Sequence, residues 1–171
     1  MARSTDDELH ETVRSIVDEL EAAVSGSLYE VDGDCVVIDD IDEWKEERYG
    51  KMVAEFRGEH SEDSLDTEAY DSYEEWMEGE IGTAADIDEP DQVSLCEYID
   101  KRSLEDVRFE VTSDKALCGG KVLFCCGGPT VWVADDEVRG YWGSSTVEMS
   151  LNSETRSELW GWFEEQWNAV K

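Results

Sequence analysis

Basic residues are scarce in this chain. Its 171 residues hold 14 Lys and Arg against 45 Asp and Glu, a formal charge of −31. Phosphate backbones and anionic lipid surfaces carry the same sign, so electrostatics oppose direct binding to nucleic acid or to a membrane. Histidine is scarcer still, with His10 and His60 alone. Histidine is the residue type whose chemistry most readily serves acid–base catalysis near neutrality. Neither adjoins a Cys or Ser in a nucleophile motif, and no GxSxG, HExxH, P-loop or GxGxxG occurs. No catalytic residue is assigned. Carboxylate pairs are so abundant that their spacing says little about glycosidase-like chemistry.

Long apolar runs are also missing. Val122-Leu123-Phe124-Cys125-Cys126 is typical of the longest, far short of a bilayer span. The opening Met1-Ala2-Arg3-Ser4-Thr5-Asp6-Asp7 lacks the basic and apolar blocks of a signal peptide, so a cytoplasmic location is expected. The five cysteines, Cys35, Cys96, Cys118, Cys125 and Cys126, are odd in number and are expected as free, half-buried thiols. There is no CxxC and no His beside the Cys118 to Cys126 cluster, so zinc is not signalled. Asp32-Gly33-Asp34 and Asp86-Ile87-Asp88-Glu89 do not match a calcium loop. No metal and no cofactor is expected.

What is present suffices for a core. Hydrophobic residues make up 40% of the chain and aromatics 10%, with seven Trp, too much for a disordered acidic tail. Thr5 and Glu8 have capping-box spacing, and Leu9, Val13, Ile16, Leu20 and Val24 form one helical stripe ended by Gly26. Leu28–Val31 and Cys35–Ile38 flank Asp32-Gly33, a type I′ turn pair. From Ile41 to Phe56 a second helix is expected, with Trp44, Tyr49, Met52, Val53 and Phe56 inward. The 43 residues from Gly58 to Asp100 hold 16 acids and no Lys or Arg. There the pattern predicts an acidic helix from Ser64 to Glu78, a loop through Gly82 to Pro90, and a short helix around Val93 to Ile99.

The last third alternates as strands do. Val107–Val111, Lys121–Cys126, Val131–Val133, Val138–Trp142 and Thr146–Leu151 are the candidates. A final helix starts near Asn152, with Leu159, Trp162 or Phe163, Gln166 or Trp167, and Val170 inward. The fold class is therefore α+β. An antiparallel sheet of about four to six strands packs against N- and C-terminal helices, with an acidic helical middle segment. A single domain, 1–171, is expected, with 58–100 as an acidic subregion and 104–171 as the β-rich region.

Three pieces of the last third form a recognisable pattern. They are Cys126-Gly127-Gly128-Pro129-Thr130-Val131-Trp132-Val133, then Val138-Arg139-Gly140-Tyr141-Trp142-Gly143, then Phe163-Glu164-Glu165-Gln166-Trp167 on the final helix. The stretch from about residue 93 to 170 resembles a family of small proteins carried by phages, plasmids and integrated elements of gut bacteria. That resemblance implies a mobile-element origin and assigns no catalytic residue. Within it, Gly127-Gly128-Pro129 suits a tight reversal. Trp132, Tyr141 and Trp142 read either as core residues or as an aromatic platform for a ligand.

The charge admits three readings. In the leading one, carboxylates at i,i+3 and i,i+4, roughly 5–6 Å apart, imitate a row of phosphates and occupy a basic groove. The candidate residues are Glu62, Asp63, Asp66, Glu68, Asp71, Glu74, Glu75, Glu78 and Glu80, with Tyr70, Tyr73 and Trp76 as apolar anchors. The expected partner is a basic nucleic-acid-binding protein, such as a CRISPR effector or restriction enzyme. In the second, the charge is adaptation to a salty cytoplasm. In the third, the Trp-rich sheet binds a small ligand or does chemistry.

Overall fold

The structure, a computed structural model, describes residues 4–61, 69–104, 106–126 and 128–171. Its contacts divide the chain into two compact units. The sheet unit comprises Met1–Val37 and Asp91–Lys171, and the acidic unit is Ile38–Pro90.

In the sheet unit, helix α1 (Thr5–Ser25) starts one residue earlier than the Thr5/Glu8 spacing suggests. Ser4 Oγ accepts from Asp7 N at 3.2 Å, and Ser4 N donates back to the Asp7 carboxylate at 3.4 Å. The helix ends at Gly26, whose φ of 82° favours a residue without Cβ. Strands β1 (Leu28–Val31) and β2 (Asp34–Val37) form the expected hairpin, with φ of 54° at Asp32 and 91° at Gly33. A two-residue strand β3 (Asp91–Gln92) pairs with the other side of β1, and α4 (Leu95–Arg102) follows it.

The main sheet is antiparallel in the order β4-β5-β6-β7-β8, comprising Val107–Val111, Leu117–Cys125, Thr130–Ala134, Glu137–Trp142 and Ser145–Ser150. Helix α5 (Ser153–Val170) closes the chain. Its cap is Asn152, whose side chain accepts from Thr155 N at 2.9 Å. The fold is α+β.

Strand alternation decides which side of the sheet is buried. Val122, Phe124, Val131, Val133 and Val138 are buried together with Leu9, Val13, Leu159 and Phe163 of the two long helices. Two glycines allow the helices to approach. A Cβ at Gly140 would stand 2.5 Å from Val13 Cγ2, and one at Gly120 would stand 2.5 Å from Phe163 Cδ1. Trp142 packs against this core, whereas Val170, expected inward, is 67% exposed at the last turn of α5.

The acidic unit holds α2 (Ile41–Glu59), α3 (Tyr73–Ile81) and a 3₁₀ turn, Ala84–Asp86. Asp40 caps α2, its carboxylate accepting from Asp42 N at 2.9 Å and Glu43 N at 3.1 Å. Of the five inward candidates on α2 only Phe56 is buried; Trp44, Tyr49, Met52 and Val53 are half-buried. The helix expected from Ser64 starts at Tyr73 within the described residues, because Ser72 caps it and Tyr70 to Ser72 are not helical. The loop expected from Gly82 to Pro90 contains the 3₁₀ turn, tied by Asp86 Oδ2 accepting from Thr83 N at 2.9 Å.

Candidate interaction surfaces

The acidic unit carries 20 Asp and Glu against four Lys and Arg. Its helices set some of these out in rows. Glu43 and Glu47, Glu55 and Glu59, and Glu74 and Glu78 are exposed pairs at i,i+4. Like charges at that spacing destabilise a helix by about 0.2–0.5 kcal/mol per pair. Lys45 is held in an ion pair, its Nζ standing 3.3 Å from Glu89 Oε1.

Of the candidate partner contacts, Glu62, Asp63, Asp66 and Glu68 lie outside the described residues. Asp71, Glu74, Glu75, Glu78 and Glu80 are exposed on and just before α3. Glu75 is engaged locally. Its carboxylate accepts from Asp71 N at 2.8 Å, and its N–H donates to Ser72 Oγ at 3.1 Å. Among the described residues, Glu74, Glu78 and Glu80 have no such capping role.

The three aromatic candidates turn inward to different degrees. Trp76 meets Phe56 edge-on at 5.1 Å between centroids, and lies 5.0 Å from His60 and 5.8 Å from Tyr73. The Tyr73 hydroxyl donates to the His60 carbonyl at 2.7 Å, joining the start of α3 to the end of α2. Tyr70 lies farther out, 6.5 Å from Trp76. This cluster is the glue of the two acidic helices, and all three rings remain half-buried. The spacing that placed them among carboxylates could not say which side of the helix they take.

The sheet unit offers a second surface. On the face of the main sheet opposite the one that packs on α1 and α5, strand alternation places Arg108, Lys121, Trp132, Arg139 and Tyr141. Cross-strand register sets Arg108 opposite Lys121, and Trp132 opposite Arg139. Arg108 stands 4.5 Å and Lys121 5.3 Å from the Trp132 ring centre, both within cation–π range. Asp106 holds Arg108 at 2.9 Å, while Glu137 and Glu148 hold Arg139. A cavity of about 460 Å³ opens on this face. Trp132 and Tyr141 thus belong to the outer face of the sheet and Trp142 to the core, so the three rings read as either core or platform are divided between the two faces.

The thiols are dispersed. Cys35 and Cys125 are half-buried, and burial pushes both up from the ordinary thiol range. Cys96, Cys118 and Cys126 are exposed, where half-burial was expected. All five are free. Among the described residues, no three His, Cys, Asp or Glu side chains converge to hold a metal ion. Among them, too, no helix is long and apolar enough to cross a membrane. No protein-family model matches the chain, nor does any curated protein or solved structure.

Proposed function

We propose that this protein is an acidic inhibitor that occupies the basic groove of a nucleic-acid-binding protein. The observation that carries the reading is the acidic unit itself, where 20 carboxylates face four bases over Ile38–Pro90. Exposed glutamates recur along two helices at phosphate-like spacing while the aromatics are drawn together between them. Like-charge crowding costs the free molecule stability, and a cationic partner removes that cost on binding. If the resemblance of residues 93–170 to mobile-element proteins holds, the partner class is a host defence protein such as a CRISPR effector or restriction enzyme.

Pull-down from a host lysate, repeated with competing DNA, tests this. Recovery of a basic nucleic-acid-binding protein, displaced by DNA and weakened as salt rises, is the expected result. The double variant Glu74→Lys, Glu78→Lys lowers recovery without touching the Glu75 cap. Recovery indifferent to salt, DNA and both substitutions sinks charge mimicry.

One observation favours adaptation to high salt instead. Acids also coat the sheet unit, with Asp6, Asp7, Glu8, Glu11 and Asp18 exposed on α1. A halophilic protein unfolds without added salt and refolds in molar KCl. A cooperative, folded transition in dilute buffer dismisses that reading.

A further inference from the structure

Strand β8 ends the main sheet, and among the described residues only one of its sides is paired. That side matches β7 without a break, from Trp142↔Ser145 to Glu137↔Ser150. Among the described residues, no backbone hydrogen bond reaches the other side of Ser145–Ser150; Leu151 N donates to Asp136 O at 3.1 Å just beyond the strand.

Exposed edges invite a further strand, and native sheets blunt them with Lys, Pro, a bulge or a cover. β8 reads Ser145-Thr146-Val147-Glu148-Met149-Ser150, with no Lys, no Pro and no register shift. The opposite edge, β4, carries Arg108 and a shift between Glu110 and Val111. On β8, Val147 and Met149 pack on the core, whereas Thr146, Glu148 and Ser150 are exposed. The strand is thus anchored from behind, and among the described residues its outer margin carries no backbone pairing.

The charge along this margin has one sign at both ends. The Ser145 hydroxyl donates to Asp6, and Asn152 N donates to Glu21 Oε1 at 2.8 Å. Fifteen residues of helix and seven of strand both span about 22–23 Å, so α1 accompanies β8 along its whole length. Glu148 lies between, paired with Arg139 Nε at 2.9 Å.

We propose that β8 is a docking edge that accepts an extended, basic segment of a partner protein as a sixth strand of the sheet. Main-chain hydrogen bonds supply the affinity and alternate side chains the selectivity. Carboxylates at Asp6, Glu21 and Glu148 favour Lys or Arg on the incoming strand. A second copy of this chain is the rival occupant, and pairing two molecules of charge −31 opposes it. This edge belongs to the sheet unit and stands independently of the acidic helices.

The test uses the full chain and two heptapeptides, one alternating Lys with Val and Thr, the other alternating Glu. Amide hydrogen exchange is followed across β8. With the Lys peptide at about nine times its dissociation constant, the outward β8 amides are expected to exchange about tenfold more slowly. Protection should fall as salt rises, and the Glu peptide should give none. Thr146→Lys and Glu148→Lys, each checked for an unchanged near-ultraviolet spectrum from the Trp residues, should weaken binding by about tenfold or more, since each adds the natural blunting charge. The double variant Glu74→Lys, Glu78→Lys should leave it unchanged, which separates this site from the acidic helices. Absence of protection, equal protection by the Glu peptide, or β8 protection that tracks a doubling of mass without peptide would each overturn the proposal.

Discussion

The two units solve the same problem with different resources. In the sheet unit 20 buried side chains form one cluster between the sheet and helices α1 and α5. In the acidic unit only Ile38, Phe56 and Met77 are buried among the described residues, supplemented by half-buried rings. Yet the acidic unit bears about as large a net charge on fewer than half the residues. Burial of apolar area offsets self-repulsion, so the sheet unit has reserve and the acidic unit has little.

Core truncation breaks the comparison most forcefully. Phe163→Ala leaves a hole where the ring meets Gly120 and Trp162. It should cost about 3–5 kcal/mol, read from urea unfolding. Phe56→Ala removes the ring that touches His60, Tyr73 and Trp76. In the thinner core the same chemical loss should unfold the acidic unit outright. Limited proteolysis would then cut within 38–90 while fragments of 91–171 persist. If both variants melt as one cooperative whole, the units are not energetically separate.

A smaller effect probes the charge. Glu59→Lys turns the Glu55/Glu59 repulsion at the C-terminal end of α2 into an i,i+4 attraction. The swing should be about 0.5–1 kcal/mol in favour of the acidic unit. Slower proteolysis within 38–90 in dilute buffer, with the gain vanishing in 1 M KCl as charges are screened (about 3 Å Debye length), is the expected pattern. A gain that survives salt would point to helix propensity instead.

Local signals made much of the sheet unit readable in advance. The stripe from Leu9 to Leu20, the Asp32-Gly33 turn, the alternation in β4 to β8 and the start of α5 all involve residues a few positions apart. The pairing of Asp91–Gln92 with β1 was not legible, because its partners lie more than 60 positions away and two residues carry no period. The divided fate of Trp132 and Trp142 needed the strand register. Alternation puts them on opposite faces only once β6 and β7 are aligned, with Trp132 opposite Arg139. In the acidic unit the carboxylates of α3 are exposed as expected, but Tyr73 and Trp76 meet Phe56 across a tertiary contact that helical spacing does not encode.

The smallest expected effect compares one capping device used in both units. In the sheet unit Glu97 Oε2 accepts from Ser94 Oγ at 2.6 Å and from Ser94 N at 2.9 Å, while Glu97 N donates to Ser94 Oγ at 3.4 Å. In the acidic unit Asp86 Oδ2 accepts from Thr83 Oγ1 at 2.8 Å and from Thr83 N at 2.9 Å. In each case the hydroxyl bond first, and the backbone bond second, hold the carboxyl below its ordinary range. A depressed folded pKa gives stability that is fully present above the unfolded value, about 4.3 for Glu and 3.9 for Asp. That stability is lost as pH falls through the folded value. Helix α4 is also fastened by Tyr98 and Ile99, both fully buried, whereas Ala84–Asp86 buries nothing. Acidification from pH 5 should therefore release the Thr83–Asp86 turn while α4 persists, with amide exchange rising first in the acidic unit. Asp86→Asn should flatten the response of that turn. Simultaneous loss of both caps would mean that the hydrogen bonds, and not the packing beneath them, govern how each unit meets acid.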